Sequence, residues 1–198
     1  MDNKTLYETE IESAIDEEGS YSHASEKVLV DAARRDPAAF STLYRRYATP
    51  VYRYLYQRVG NCAEAEDLTS QVFTDVLQGL IHYRERGNFT AWLFTIARHK
   101  AIAAYRSQRR NIRLEEAEEI PGPAEDPLDR VVYNEQMEKM AALFSSLKEN
   151  QRELLRLRFS AGLGYAEIGA VLGRSQAAVK MALIRLLHKL SLKWEGKR

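Results

Sequence analysis

Cysteine is almost missing. Cys62 stands alone among 198 residues, so no disulfide can close within the chain, and a reducing cytoplasm is the expected setting. Long apolar runs are missing too: none approaches the roughly 20 residues that a bilayer span requires, so no direct membrane insertion is expected. The opening stretch, MDNKTLYETEIESAIDEEGS, is acidic and has no apolar core, which fits neither a secretory signal nor a transit peptide. Spacings that carry chemistry are absent as well. His23, His82, His99 and His188 lie far apart, without an HExxH pair, zinc-type paired cysteines or a glycine-rich phosphate loop. An enzyme is therefore not expected, nor a metal or other cofactor. No run alternates apolar and polar residues with period two, which argues against a sheet.

What remains is charge, unevenly placed. The net charge of +1 says nothing by itself. Between Met1 and Asp36 acids outnumber bases ten to four, whereas Arg98 to Arg113 holds six bases and no acid. Glu115 to Asp129 then carries seven acids and no base, and from Arg174 onward seven bases face the single Glu195. One basic block is usually a solvated helix face. Two of them, on separate helical segments, suggest two surfaces for a polyanion.

The apolar residues have helical spacing. Phe40, Leu43, Tyr44, Tyr47, Val51, Leu55 and Val59 trace one helix face, which Pro50 is expected to kink or break and Gly60-Asn61 to close. A second helix from about Ala63 has the stripe Leu68, Val72, Val76 and Leu80 with Phe73 and Leu77 beside it. Asp67, Ser70, Gln71, Thr74 and Gln78 make its polar face. After the Gly87-Asn88 turn, TAWLFTIARHKAIAAYRSQRR forms a third helix with the stripe Leu93, Ala97, Ala101 and Ala104, while Arg98, His99, Arg106, Arg109 and Arg110 lie around its other side. Lys100 and Ile102 fit neither face. Trp92, Phe94 and the five tyrosines from Tyr44 to Tyr56 read mainly as packing residues.

EEAEEIPGPAEDPLD, with three of the chain's five prolines, reads as an extended linker. Helical patterns return over 128–147 and 149–159, followed by two shorter pieces. Tyr165 to Leu172, the Gly173-Arg174 turn and a helix capped by Ser175 have the form of a helix-turn-helix. Val179, Ala182, Leu183, Leu186, Leu187 and Leu190 make the last helix's inner stripe. Arg174, Ser175, Gln176, Lys180, Met181 and Arg185 lie outside it, where they could reach phosphates or base edges in a major groove. The fold class is all-α: two helical domains joined by an acidic linker, the C-terminal one containing the helix-turn-helix. Its expected boundaries are a mobile extension at 1–26, a bundle at 27–112, a linker at 113–130 and a smaller domain at 131–198.

DPAAFSTLYRRYATPVYRYLYQRVGNCAEAEDLTSQVF, then FTAWLFTIARHKAIAAYR, then LKENQRELLRLRFSAGLGYAEIGAVLG, in this order, resemble a bacterial RNA polymerase sigma factor of the extracytoplasmic-function type. The resemblance covers about Lys27 to Leu190 and implies a region 2 and a region 4, with core RNA polymerase and promoter DNA as partners. By that pattern Asp67, Ser70, Gln71, Thr74 and Gln78 dock on the polymerase, and the Trp92–Arg110 helix meets and melts the minus-ten element. Gln176, Lys180, Met181 and Arg185 face the minus-thirty-five element, and the acidic linker threads toward the RNA path. An anti-sigma factor is the partner by which such proteins are commonly held inactive. The sequence departs from the family pattern at Ser70-Gln71, His99, Ala103, Ala178, Ala182 and Leu187. These changes alter the expected polymerase contact and make the recognition helix more apolar, so that a protein could cover it. The competing reading is a stand-alone helix-turn-helix regulator, which leaves the N-terminal bundle and its polar face unexplained.

Overall fold

The computed structural model describes residues 23–84, 88–112 and 140–195. The proline-rich linker lies outside these residues, as does the acidic extension up to residue 22; its expected end, residues 23–26, is instead the start of a helix, because Glu26 is buried against Tyr47 and Thr90. Everything described is helix and turn, with no strand among the described residues. Helices α1 (His23–Ala33), α2 (Pro37–Val59), α3 (Cys62–Gly79) and α4 (Phe89–Ile112) form the N-terminal bundle. A helical segment at 140–145, α5 (Glu149–Leu155), α6 (Tyr165–Leu172) and α7 (Gln176–Glu195) form the C-terminal part.

Short polar signals set the breaks. Asp36 accepts from the Ala38 N–H at 2.9 Å, ahead of Pro37 at the first helical position. Gly60 adopts φ +74°, a left-handed conformation that ends α2 and returns its N–H to the Tyr56 carbonyl at 2.8 Å. Asn61 then caps α3 through the Glu64 N–H at 3.1 Å, and Asn88 receives the Ala91 N–H of α4 at 3.2 Å.

Of the two outcomes expected at Pro50, a kink or a break, the break does not occur. Pro50 does not break α2, which runs unbroken for 23 residues. Proline forfeits one backbone hydrogen bond, but Tyr47, Val51, Tyr54 and Leu55 on either side are all buried. Burying side chains of that size contributes about 1.5–3 kcal/mol each, more than the break would recover.

In α3 the stripe Leu68, Val72, Val76 and Leu80 is buried together with Phe73. Leu77 is not: it is 53% exposed, because the buried face turns toward Ala65 and Thr69 instead. In α4, Leu93, Phe94, Ala97 and Ala101 are fully buried. Lys100, which periodicity left without a role, reaches Asp75 of α3 at 2.8 Å and ties the two helices together. Trp92 packs on Tyr83 and Phe89 at centroid separations of 4.8 and 5.6 Å, and lies so close to α3 that a Cβ on Gly79 would sit 3.1 Å from its ring. Both Trp92 and Phe94 therefore support the core, as their sequence context suggests.

Two carboxylates are buried within this framework. Glu26 of α1 accepts from the Tyr47 hydroxyl and, at 2.7 Å, from the Thr90 hydroxyl in the first turn of α4. Burial, followed by the Glu26 hydrogen bond, pushes the Tyr47 hydroxyl well above the ordinary phenol range. The second carboxylate, Glu153, is described with the site.

Helix α5 widens at its end into a π-turn over Arg156–Ser160, closed by the Ala161 N–H on the Arg156 carbonyl at 3.0 Å. The final helix, expected as a short piece, is 20 residues long.

Candidate nucleic-acid interface

The helix-turn-helix is built from close backbone contact. Gly173 ends α6 with φ +66°, and the Arg174 N–H returns to the Gly169 carbonyl at 2.8 Å. Gly169 lies against the turn: a Cβ there would sit 2.5 Å from the Arg174 carbonyl oxygen. The Ser175 hydroxyl accepts from the Ala178 N–H at 3.2 Å and starts α7. Val179, Leu183 and Leu186 fasten α7 to the core. The opposite edge, Arg174, Ser175, Gln176, Met181 and Arg185, is exposed, with Lys180 half-buried beside it. Arg185 hydrogen-bonds back to the Met181 carbonyl at 3.1 Å, which holds its guanidinium along that edge. Ala182 and Leu187, where basic residues were expected from the family pattern, pack against the core. Their apolar character thus serves packing, and among the described residues the large exposed apolar side chains of α7 are Met181 and Leu192.

The α4 surface divides in two. His99 and Arg106 are exposed. Arg109 and Arg110 lie on the same helical backbone, but their side chains fall outside the described residues. Arg98, one turn before the open part, is turned toward Glu153 of α5, with Nε 3.3 Å from Oε1. Glu153 is 4% exposed. It also accepts from the Tyr54 hydroxyl at 2.8 Å and from the Arg58 guanidinium, and Arg156 stands 3.5 Å away. Burial and then the negative charge of Glu153 push the Tyr54 hydroxyl far above its usual range.

On α3, Asp67, Ser70, Gln71, Thr74 and Gln78 are all exposed on one face. Gln71 donates to Asp67 at 2.7 Å, and the Ser70 and Thr74 hydroxyls bond back to carbonyls one turn earlier. Leu77 and Ile81, 53% and 70% exposed, extend this face with apolar surface that sequence reasoning did not assign to it. An exposed apolar pair beside a polar row has the composition of a protein-docking face.

Among the described residues no group of three or more histidines, cysteines or acids could hold a metal ion, and no helix is long and apolar enough to cross a membrane.

Comparison with known proteins agrees with this layout. Sigma-70 region 2 matches residues 43–111, and sigma-70 region 4 matches 143–191. The ECF RNA polymerase sigma factor BldN of Streptomyces coelicolor is 37% identical over 176 residues; the match takes in 82% of this chain and 63% of that protein, so the chain spans less than two thirds of its length. The ECF RNA polymerase sigma factor SigD of Mycobacterium tuberculosis is 31% identical over 171 residues, which is 82% of this chain and 80% of the relative. Among solved structures, CnrH in complex with the cytosolic domain of CnrY has a similar fold, with a TM-score of 0.63 at 22% identity, over 86% of this chain and 97% of that one. With both regions matched in order and a relative of such identity covered over four fifths of its length, the chain belongs to the ECF RNA polymerase sigma factors.

Proposed function

We infer that this chain is a sigma subunit that binds core RNA polymerase and directs initiation at selected promoters, acting as an initiation factor rather than an enzyme. The observation that carries this reading is the exposed edge of α7. Arg174, Ser175, Gln176, Met181 and Arg185 stand opposite the buried Val179, Leu183 and Leu186, so the helix offers base-reading side chains while staying anchored. In this reading the 131–198 domain holds the minus-thirty-five element. The 27–112 bundle holds the minus-ten element, with Arg98, His99, Arg106, Arg109 and Arg110 on the phosphates. The face of Asp67, Ser70, Gln71, Thr74 and Gln78, extended by Leu77 and Ile81, docks on the polymerase. The 113–130 linker joins the domains, and the acidic extension precedes α1, which belongs to the bundle from His23 onward. An anti-sigma factor covering these faces is the proposed regulator, and the cytoplasm the proposed location.

Opening promoter DNA costs a few kcal/mol per extruded nucleotide, which phosphate contacts and base stacking on the protein must offset. The test is transcription from a genomic promoter library with purified chain and core enzyme. Specific start sites are expected, and Gln176→Ala with Arg185→Ala should lower their use at least tenfold while leaving core binding intact. A chain that binds core normally yet yields no specific transcript would overturn the reading.

A further inference from the structure

The basic blocks that suggested polyanion contact fall on α4 and α7, yet α2 carries a third. From Pro37 to Ala63 the chain has four arginines and no acid, interleaved with five tyrosines. The structure sorts them. Tyr47 and Tyr54 are buried, and the Arg58 guanidinium is taken up by Glu153. Tyr52 and Tyr56 are only half-buried, and their rings lie nearly parallel, with centroids 6.0 Å apart and planes 15° from each other. Arg45, Thr49 and Arg53 are exposed beside them. At 3.6 residues per turn these five positions fall within about 100° around the helix.

This face looks out of the bundle. On the other side of α2, Leu43, Tyr47, Val51 and Tyr54 are buried, and Tyr54 meets Phe94 of α4 at a centroid separation of 5.7 Å. The tyrosine-arginine stripe is therefore distinct from the exposed surface of α4. Among the described residues neither Arg45 nor Arg53 pairs with an acid; Arg45 donates to the Thr42 hydroxyl at 3.4 Å. Next to Arg45, the side chains of Phe40, Ser41 and Tyr44 line an open hollow of about 370 Å³. Glu66, in the first turns of α3, approaches Tyr52 and bounds the stripe at that end.

Basic side chains without acidic partners attract a polyanion, and open aromatic rings select which kind. In a duplex the base faces are covered by their neighbours. In a single strand they are free to stack on tyrosine, which strengthens binding about 5- to 150-fold per base. From Arg45 to Tyr56 the stripe rises about 16 Å, the length of about five stacked nucleotides. We propose that the outer face of α2 is a second nucleic-acid site, one that takes single-stranded DNA. Tyr52 and Tyr56 stack on its bases, while Arg45 and Arg53 hold its phosphates. The occupant is the promoter strand displaced at α4, led around the edge of the bundle. That identity rests on the function proposed above, whereas the affinity for unpaired DNA does not.

The test titrates the full chain with a short fluorescent oligothymidylate, read by anisotropy over a range of salt concentrations. Tyr52→Leu with Tyr56→Leu keeps apolar bulk but removes the ring faces, and should weaken binding at least fivefold without altering its salt dependence. Tyr52→Phe with Tyr56→Phe should bind as the parent does. Arg45→Gln with Arg53→Gln, both at exposed positions, should reduce the slope of log affinity against log salt by about 1.4, or about 0.7 per lost phosphate contact. A folded leucine pair that binds like the parent, or an arginine pair with the parental slope, overturns the site. In the complex with core polymerase and promoter, a benzophenone side chain in place of Thr49 should crosslink to the displaced strand. Crosslinks to RNA or to polymerase instead overturn the occupant. A chain that shows the oligothymidylate effects yet gives no promoter-specific transcript would leave the site standing and sink the proposed function.

Discussion

Replacing Gly169 by alanine sets two effects of opposite sign against each other. The residue lies inside α6, and alanine is favoured over glycine in a helix interior by about 0.8–1.0 kcal/mol. Against this, the new Cβ would stand 2.5 Å from the Arg174 carbonyl oxygen and 3.5 Å from the Gln176 nitrogen. The obstacle is backbone, which cannot rotate away as a side chain could. Restoring ordinary contact requires the turn to move by roughly 0.9 Å, and overpacking of this kind costs about 1–3 kcal/mol. The packing term wins, leaving a net loss of about 1 kcal/mol. The displaced turn carries Ser175 and the start of α7 with it, so, under the function proposed for α7, affinity for minus-thirty-five DNA is expected to fall as well. Urea unfolding followed by tryptophan fluorescence measures the first effect, since Trp194 reports on α7 and Trp92 on the bundle. A Gly169→Ala chain at least as stable as the parent would show that the turn yields freely, and would refute the argument.

Gly60→Ala isolates the other role of glycine, because a Cβ there meets nothing within 4 Å but the backbone is at φ +74°; a loss of about 1–2 kcal/mol by the same unfolding assay is expected from conformation alone. Stability should also fall in alkali. The folded state holds the Tyr47 and Tyr54 hydroxyls above their ordinary values, whereas in the unfolded chain they ionise near pH 10, so their contribution is complete below about pH 10 and is lost as pH rises beyond it. Each contributes a slope of up to about 1.4 kcal/mol per pH unit there, and Tyr54→Phe should remove one such slope; urea midpoints that stay flat from about pH 9 to 11 would contradict this.

Much of the architecture was legible because helices announce themselves twice, in apolar spacing and in their caps. Asn61, Ser175, Gly60 and Gly173 all act where the sequence placed a boundary. What local pattern could not convey was which neighbour a residue would find. Pro50 reads as a break because only its own lost hydrogen bond is visible in sequence, not the buried flanks that outweigh it. Leu77 reads as core until the angle of α3 against α2 is known. Lys100 has no place on a single helix and acquires one only from Asp75 on the next. The buried acids were the larger omission, although a signal existed. Glu26 and Glu153 each stand four residues before a buried aliphatic side chain, Val30 and Leu157, and therefore on the inward face of their helices. An acid at such a position must find donors, and both find them on another helix.

Glu26 also redraws where the N-terminal module starts. Homology to region 2 begins at residue 43, yet the acceptor beneath the first turn of α4 comes from 17 positions upstream. A polypeptide trimmed to the homologous segment would leave Thr90 and the Tyr47 phenol facing an emptied, poorly hydrated socket at the very start of α4, the helix proposed to meet the promoter. The first helix is thus an integral strut, and any minimal working fragment has to retain it.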